Sequence, residues 1–129
     1  MSTIIIYSGG SNTTAVSEYI AKKTSGKAVK VSQAGSEDLS AYDTIVIGGR
    51  VHAGKLPKDL VNFVAEKKDV ISSKNSAFFV CCMYNDDKGQ SQCDGLANNL
   101  GISKHTFFNK GKKIVQEENN PVDDFIATF

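Results

Sequence analysis

The chain has 129 residues, enough for one compact domain with a real core and too few for two of ordinary size. Hydrophobic residues make up 40% and charged residues 22%, and 15 Lys plus Arg against 14 Asp plus Glu give no case for nucleic acid or for a strongly basic partner. No apolar run approaches the ~20 residues that span a bilayer, and Met1-Ser2-Thr3 lacks the basic start of a signal peptide.

Ile4, Ile5 and Ile6 form a β-branched run that predicts a strand buried on both faces. The run breaks into Ser8-Gly9-Gly10-Ser11-Asn12-Thr13-Thr14, where the glycines allow a sharp turn that brings backbone N–H groups close to a ligand. Ser11 and Asn12 suit the cap of a following helix. A helix start combines unpaired N–H donors with the positive end of the macrodipole, so this turn is expected to bind a phosphorylated ligand. The helix is read over residues 12–24 from Ala15, Val16, Tyr19 and Ile20, with Gly26 ending it. Residues 27–32 alternate around Ala28, Val29 and Val31 and predict a short edge strand; residues 33–43 leave room for a turn and at most a short helix.

Thr44, Ile45, Val46 and Ile47 make a second buried strand, closed by Gly48-Gly49. Residues 50–56 read as a loop, Pro57 suits a first helical turn, and Leu60, Val61, Phe63 and Val64 trace one apolar face to about Val70. Residues 76–83 are the third buried strand, followed by a polar loop over 84–89 and a helix from about Gln90 to Leu100. His105 to Phe108 predicts a fifth strand, turning at Asn109-Lys110-Gly111 into residues 112–115; Val122, Phe125, Ile126 and Phe129 close the chain at helical spacing.

Strands alternating with helices predict an α/β fold of three layers, a doubly wound parallel sheet covered on both faces. Ligands of such sheets bind beyond the carboxyl ends of the strands, at the switch point of strand order. The loops beginning at Ser8, Gly48 and Tyr84 leave the three most buried strands at that end, so they are expected to converge. A phosphoacceptor receiver domain needs acidic residues after its first strand, and Tyr7-Ser8 offers none; the triphosphatase loop Gly-x-x-x-x-Gly-Lys-Ser/Thr is absent. Cys81, Cys82 and Cys93 are an odd number of thiols, and adjacent residues on a strand face opposite ways, which suits buried structural thiols in a cytoplasm better than a disulfide or metal site. His105 is likewise read as structural.

With its loops placed, the chain resembles the flavodoxin-like FMN proteins. Their phosphate loop reads as a hydroxyl residue, any residue, Thr, Gly, Asn, Thr; the matching residues are Ser8, Gly9, Gly10, Ser11, Asn12 and Thr13. Gly10 stands where Thr is usual and removes one hydroxyl, for which Ser11 and Thr14 are the substitutes; Ser11 stands where Gly is usual. Residues 39–48 resemble the segment leading to the family's second flavin loop. Residues 49–54 (Gly-Arg-Val-His-Ala-Gly) resemble the version in the flavodoxin-domain group that includes menaquinone-dependent protoporphyrinogen oxidase, although this chain has no room for that group's long insertion near the last strand. The resemblance covers about residues 3 to 101.

The resemblance implies a five-stranded, short-chain flavodoxin-like domain over residues 1–129 that holds FMN. Amides of residues 9–13 and hydroxyls of Ser8, Ser11 and Thr13 would hold the phosphate. Tyr84, in the loop with Asn85, is the candidate for one face of the flavin, and His52 or Val51 for the other. Arg50 near the ring would favour the charged, reduced form, opposed by Asp86 and Asp87. Gly48 and Gly49, or else Gly54 or Gly89, would let a backbone carbonyl turn as the flavin gains a proton. Three functions follow: an electron carrier serving a redox partner protein, an oxidoreductase acting on a quinone-like small molecule, and a flavin-free binding module of the same shape.

Overall fold

Three apolar runs, two of them β-branched, form the centre of a sheet and fix what packs on it. The computed structural model describes residues 2–52, 54–82 and 87–129. Strands β1 (Thr3–Ser8), β2 (Lys27–Lys30), β3 (Thr44–Arg50), β4 (Asn75–Cys82) and β5 (Lys104–Asn109) lie in the order β2-β1-β3-β4-β5. Every pairing is parallel. Between and after them run α1 (Ser11–Thr24), α2 (Lys58–Glu66), α3 (Lys68–Ser73), α4 (Asp87–Leu100), α5 (Gly111–Ile114) and α6 (Pro121–Ile126), with 3-10 turns at Val31–Ser36 and Leu39–Ala41. The chain winds one way from β1 to β2 and the other way from β3 to β5, so the switch point lies between β1 and β3.

Side chains alternate across each strand and divide the core in two. Ile4, Ile6, Ile45, Ile47, Phe78 and Val80 face the layer of α2 to α4, where Leu60, Phe63, Ile71, Cys93 and Leu100 meet them. Ile5, Val46, Ala77, Phe79 and Cys81 face Val16, Ile20, Val122 and Phe125 of the other layer. The flavodoxin-like, three-layer architecture expected from the sequence is the one observed.

Several boundaries differ from expectation. β3 continues through Gly48 and Gly49 to Arg50, because each glycine lends its missing side-chain volume to a core neighbour. A Cβ on Gly48 would run into the Phe79 ring, and one on Gly49 would lie 2.8 Å from both Leu56 Cδ2 and Leu60 Cδ2. The single helix expected to about Val70 is two, broken at Lys67 (φ −103°, ψ 16°), and the re-aimed α3 buries Ile71. α4 begins at Asp87 rather than Gln90, with Asp87 in its first turn, where a carboxylate suits the macrodipole. Residues 112–114 lie in the short α5, with Val115 as its C-cap, and at the end of α1 the left-handed residue is Ser25 (φ 54°) instead of Gly26. Among the described residues no helix is long and apolar enough to cross a membrane.

Phe79 is fully buried and packs on Phe108 and Phe125 with ring centroids 5.9 and 6.2 Å away, so it cannot yield to a new methyl group. Gly48→Ala is therefore expected to destabilise the protein by about 1–3 kcal/mol in urea unfolding, with an unchanged slope; a midpoint equal to wild type would contradict the packing described.

Candidate functional site

Strand register brings the first two loops together. Ser8 pairs with Gly49, Gly49 with Val80, and Arg50 with Cys81, so the chain leaves β1 and β3 side by side. Gly10 is the N-cap residue of α1, and Ser11 and Asn12 lie inside the helix instead of capping it. No side chain caps α1 and its first turn holds no acid. The first backbone bond to close is Thr14 N–H to the Gly10 carbonyl at 3.0 Å, leaving the amides before it without helical acceptors. The Thr14 hydroxyl also donates to that carbonyl at 3.0 Å, so it is not the substitute donor expected of it. Ser11 stays exposed.

Thr13 Oγ1 is fully buried and has no hydrogen-bond partner, a costly state for a hydroxyl. It stands against Gly9, where a Cβ would come within 2.6 Å of it and within 2.8 Å of Arg50 Cβ. Arg50, the last residue of β3, thus flanks the first loop beside Thr13, and its Nη1 lies 3.4 Å from where a Gly10 Cβ would be.

The second loop is tied down by its own backbone. Val51 N–H donates to the Cys81 carbonyl at 3.1 Å, and His52 and Lys55 exchange two bonds of 2.9 and 3.0 Å. Gly54 (φ 76°) supplies the left-handed residue of that turn. Two contacts were invisible in the sequence because they join distant segments. Ser8 Oγ donates to Asp59 Oδ1 at 3.1 Å, which also accepts the Leu60 amide at 2.8 Å. Asn12 Oδ1 accepts the Lys112 amide at 3.0 Å, clamping the start of α5 to the first loop. Gly111 allows that approach, since a Cβ there would come within 2.7 Å of Val16.

Gly10, Ser11 and Asn12, Arg50, Val51 and His52, and Cys81 and Cys82 together line a cleft of about 290 Å³. Six of the residues singled out from the sequence meet there; Ser8, Gly9 and Thr13 lie directly behind. Gly48 and Gly49 are buried strand residues, and Gly89 is inside α4, where a Cβ would come within 2.6 Å of the Phe107 ring. Packing accounts for these three glycines, which leaves Gly54 as the one in a turn. Tyr84, Asn85 and Asp86 lie outside the described residues. Arg50 is exposed at the cleft, and the exposed Lys110, Lys112 and Lys113 lie where α5 is clamped to Asn12. Uncapped amides, an unsatisfied hydroxyl and a guanidinium around one small opening are the parts an anion cradle needs.

Burial pushes the Cys81 thiol up to about 12; the neighbouring Thr13 hydroxyl opposes this, although their approach falls outside hydrogen-bond geometry. Burial also pushes Cys93 up to about 12, and its thiol donates to the Thr106 carbonyl at 3.2 Å. His105 spans Asp94 (2.7 Å) and the Ser103 carbonyl (2.6 Å), a bridge from α4 to the start of β5. Among the described residues no three His, Cys, Asp or Glu side chains gather where a metal could sit.

Compared with known proteins, residues 4–120 match the family model described as Flavodoxin domain. The chain belongs to the flavodoxin-domain family. Among solved structures, this flavodoxin-domain protein is similar to the two-electron reduced flavodoxin of Megasphaera elsdenii (TM-score 0.72, 16% identity, all of both chains covered). It is also similar to the Trp repressor binding protein of Bacillus subtilis (TM-score 0.68, 13% identity, 97% of this chain and 96% of that one). A third is oxidised flavodoxin 1 of Bacillus cereus (TM-score 0.60, 20% identity, 98% of this chain and 92% of that one). At these identities the likeness is one of fold. No curated protein matches the chain significantly.

The raised thiols predict slow chemistry at two of the three cysteines. An unfolded thiol ionises near ~8.5, so the stability linked to these protonated thiols is complete below that pH and is lost as pH rises towards about 12. Iodoacetamide at mildly alkaline pH should leave Cys81 and Cys93 unmodified in the folded protein and modify both in urea. Mass spectrometry showing equal rates in the two states would contradict their burial.

Proposed function

We propose that this flavodoxin-domain protein binds FMN without a covalent bond and carries electrons between a donor and an acceptor. The observation that carries the reading is the buried, unpartnered Thr13 Oγ1 beside the uncapped start of α1. Among the described residues that hydroxyl has no hydrogen-bond partner, the Cys81 thiol beside it lying outside hydrogen-bond geometry, whereas a phosphate at the helix start would give it an acceptor. FMN would supply the redox chemistry once bound. The chain's part is to hold and screen it. Amides of residues 9–13 and the hydroxyls of Ser11 and Thr13 would take the phosphate, and Ser8 joins them when its hydroxyl leaves Asp59. Val51 and His52 would wall the flavin on one side and Tyr84 on the other, with Asn85 and Asp86 in the same loop. Gly54, in the turn after His52, would be the glycine that lets backbone turn beside the flavin. The exposed lysines at the start of α5, next to Asn12, favour a protein partner with an acidic face.

A quinone-linked oxidoreductase is the second reading. A groove of about 360 Å³ beside Gly54 and Lys55, floored by Leu56, Val61, Leu96 and Leu100, favours it. Among the described residues Val61 is the large apolar side chain left most open, at 40% exposure. Rapid reduction of a water-soluble quinone by the reduced holoprotein, abolished by Val61→Lys, would favour this reading over the carrier. The flavin-free module is the reading that remains if no flavin binds.

Adding FMN and riboflavin separately to the apoprotein tests the central reading. FMN should bind more tightly than riboflavin. Thr13→Val should weaken FMN about 10-fold and leave riboflavin unchanged, because one hydrogen bond to a charged group is lost. The same variant should leave the apoprotein as stable as wild type or more so, since it removes an unsatisfied buried hydroxyl. A wild-type protein that binds neither flavin would refute the proposal.

A further inference from the structure

Gly10 and Arg50 fit each other. A Cβ on Gly10 would stand 3.4 Å from Arg50 Nη1 and 3.9 Å from Arg50 Cδ, so the arginine side chain runs along the bare backbone of Gly10. A threonine at this position carries two further heavy atoms beyond Cβ, and they would compete with the guanidinium for the same space. Behind it the Arg50 Cβ already fills the space that a side chain on Gly9 would need, at 2.8 Å. The direction of the side chain therefore follows from where β3 ends, one residue past the pairing of Gly49 with Ser8.

The guanidinium is also unspent. Among the described residues Arg50 has no ion pair and no side-chain hydrogen bond, although Asp59 stands nearby on Ser8. It opens on the same cleft as Gly10, Ser11 and Asn12. The uncapped amides of α1 and the orphaned Thr13 Oγ1 mark the same spot as wanting an anion. An arginine offers a planar fork of donors that matches two oxygens of a phosphate.

We propose that Arg50 is the phosphate-binding side chain of this site, reaching back from the second loop to take the place of the hydroxyl that Gly10 lacks. The loop thereby exchanges a neutral donor for a cation, and Gly10 is the residue that makes room for it. The inference rests on the flavin-phosphate reading above and extends it to this chain's own departure from the usual loop. Arg50 acts here on the phosphate rather than on the ring, so it adds affinity and salt dependence more than it shifts redox behaviour. The ligand class favoured is a phosphate monoester in its dianionic form, and dephosphorylated flavin should be discriminated against more strongly than a neutral loop would manage.

Fluorescence titration of FMN and of riboflavin into apoprotein, at low and high salt, tests this with Arg50→Gln, Arg50→Lys, Gly10→Thr and the double variant Arg50→Gln/Gly10→Thr. Arg50→Gln should weaken FMN about 10- to 100-fold, leave riboflavin unchanged and flatten the salt dependence; Arg50→Lys should recover part of the loss. Gly10→Thr should weaken FMN in the wild-type background, where it displaces the guanidinium. In the Arg50→Gln background it should strengthen FMN, where it restores a hydroxyl. That change of sign is the signature of one site shared by two residues. Equal losses for FMN and riboflavin, or additive effects of the two substitutions, would overturn the assignment while leaving FMN binding intact. A wild-type protein that takes up no flavin would overturn both.

Discussion

Gly9 has no room for a side chain, and that shortage of space organises the site. Thr13 Oγ1 and Arg50 Cβ crowd the place a side chain would take, at 2.6 and 2.8 Å from where a Cβ would be. The first residue belongs to α1 and the second to β3, so a single glycine holds a helix start and a strand end against the end of β1. The same closeness leaves Thr13 Oγ1 without a partner and turns Arg50 across Gly10. The start of α1 and Arg50 line one opening, and the buried Thr13 hydroxyl lies behind it against Gly9.

The sheet supplies the rigidity this requires. Gly48 yields its space to Phe79 and Gly49 to Leu56 and Leu60, so β3 stays regular to Arg50 and delivers that residue at a fixed height beside Cys81. On the other flank, Asn12 accepts the Lys112 amide and fastens the last third of the chain to the first loop. Each clamp is an ordinary packing or hydrogen-bond contact. Together they spare a ligand the cost of ordering the loop, which is how a preformed site gains affinity.

The layers were legible because the strands are written in β-branched residues with helical spacing between them. Ile4 to Ile6 and Thr44 to Ile47 read as strands buried on both faces and are. The convergence of the first two loops followed from strand order and from the rule that ligands gather at carboxyl ends. Roles within the loops were less legible. Gly48, Gly49 and Gly89 look like hinges in a sequence, yet their neighbours Phe79, Leu56 and Phe107 are distant in the chain and explain them as packing. Thr14 looks like a donor until its bond to Gly10 is seen, and Asp59 and Lys112 reach the site only through the fold. Arg50 was singled out from its place in the second loop, but its direction is a product of strand register, which no local pattern encodes.

The claim on which the rest depends is that an anionic phosphate sits at the start of α1. Phosphorus NMR of FMN mixed with the protein, followed from mildly acid to mildly alkaline pH, addresses it directly. A separate bound resonance that stays constant through the usual phosphate transition near ~6 is predicted, because amides, hydroxyl and guanidinium all favour the dianion. A resonance that titrates as it does in free FMN would contradict the account.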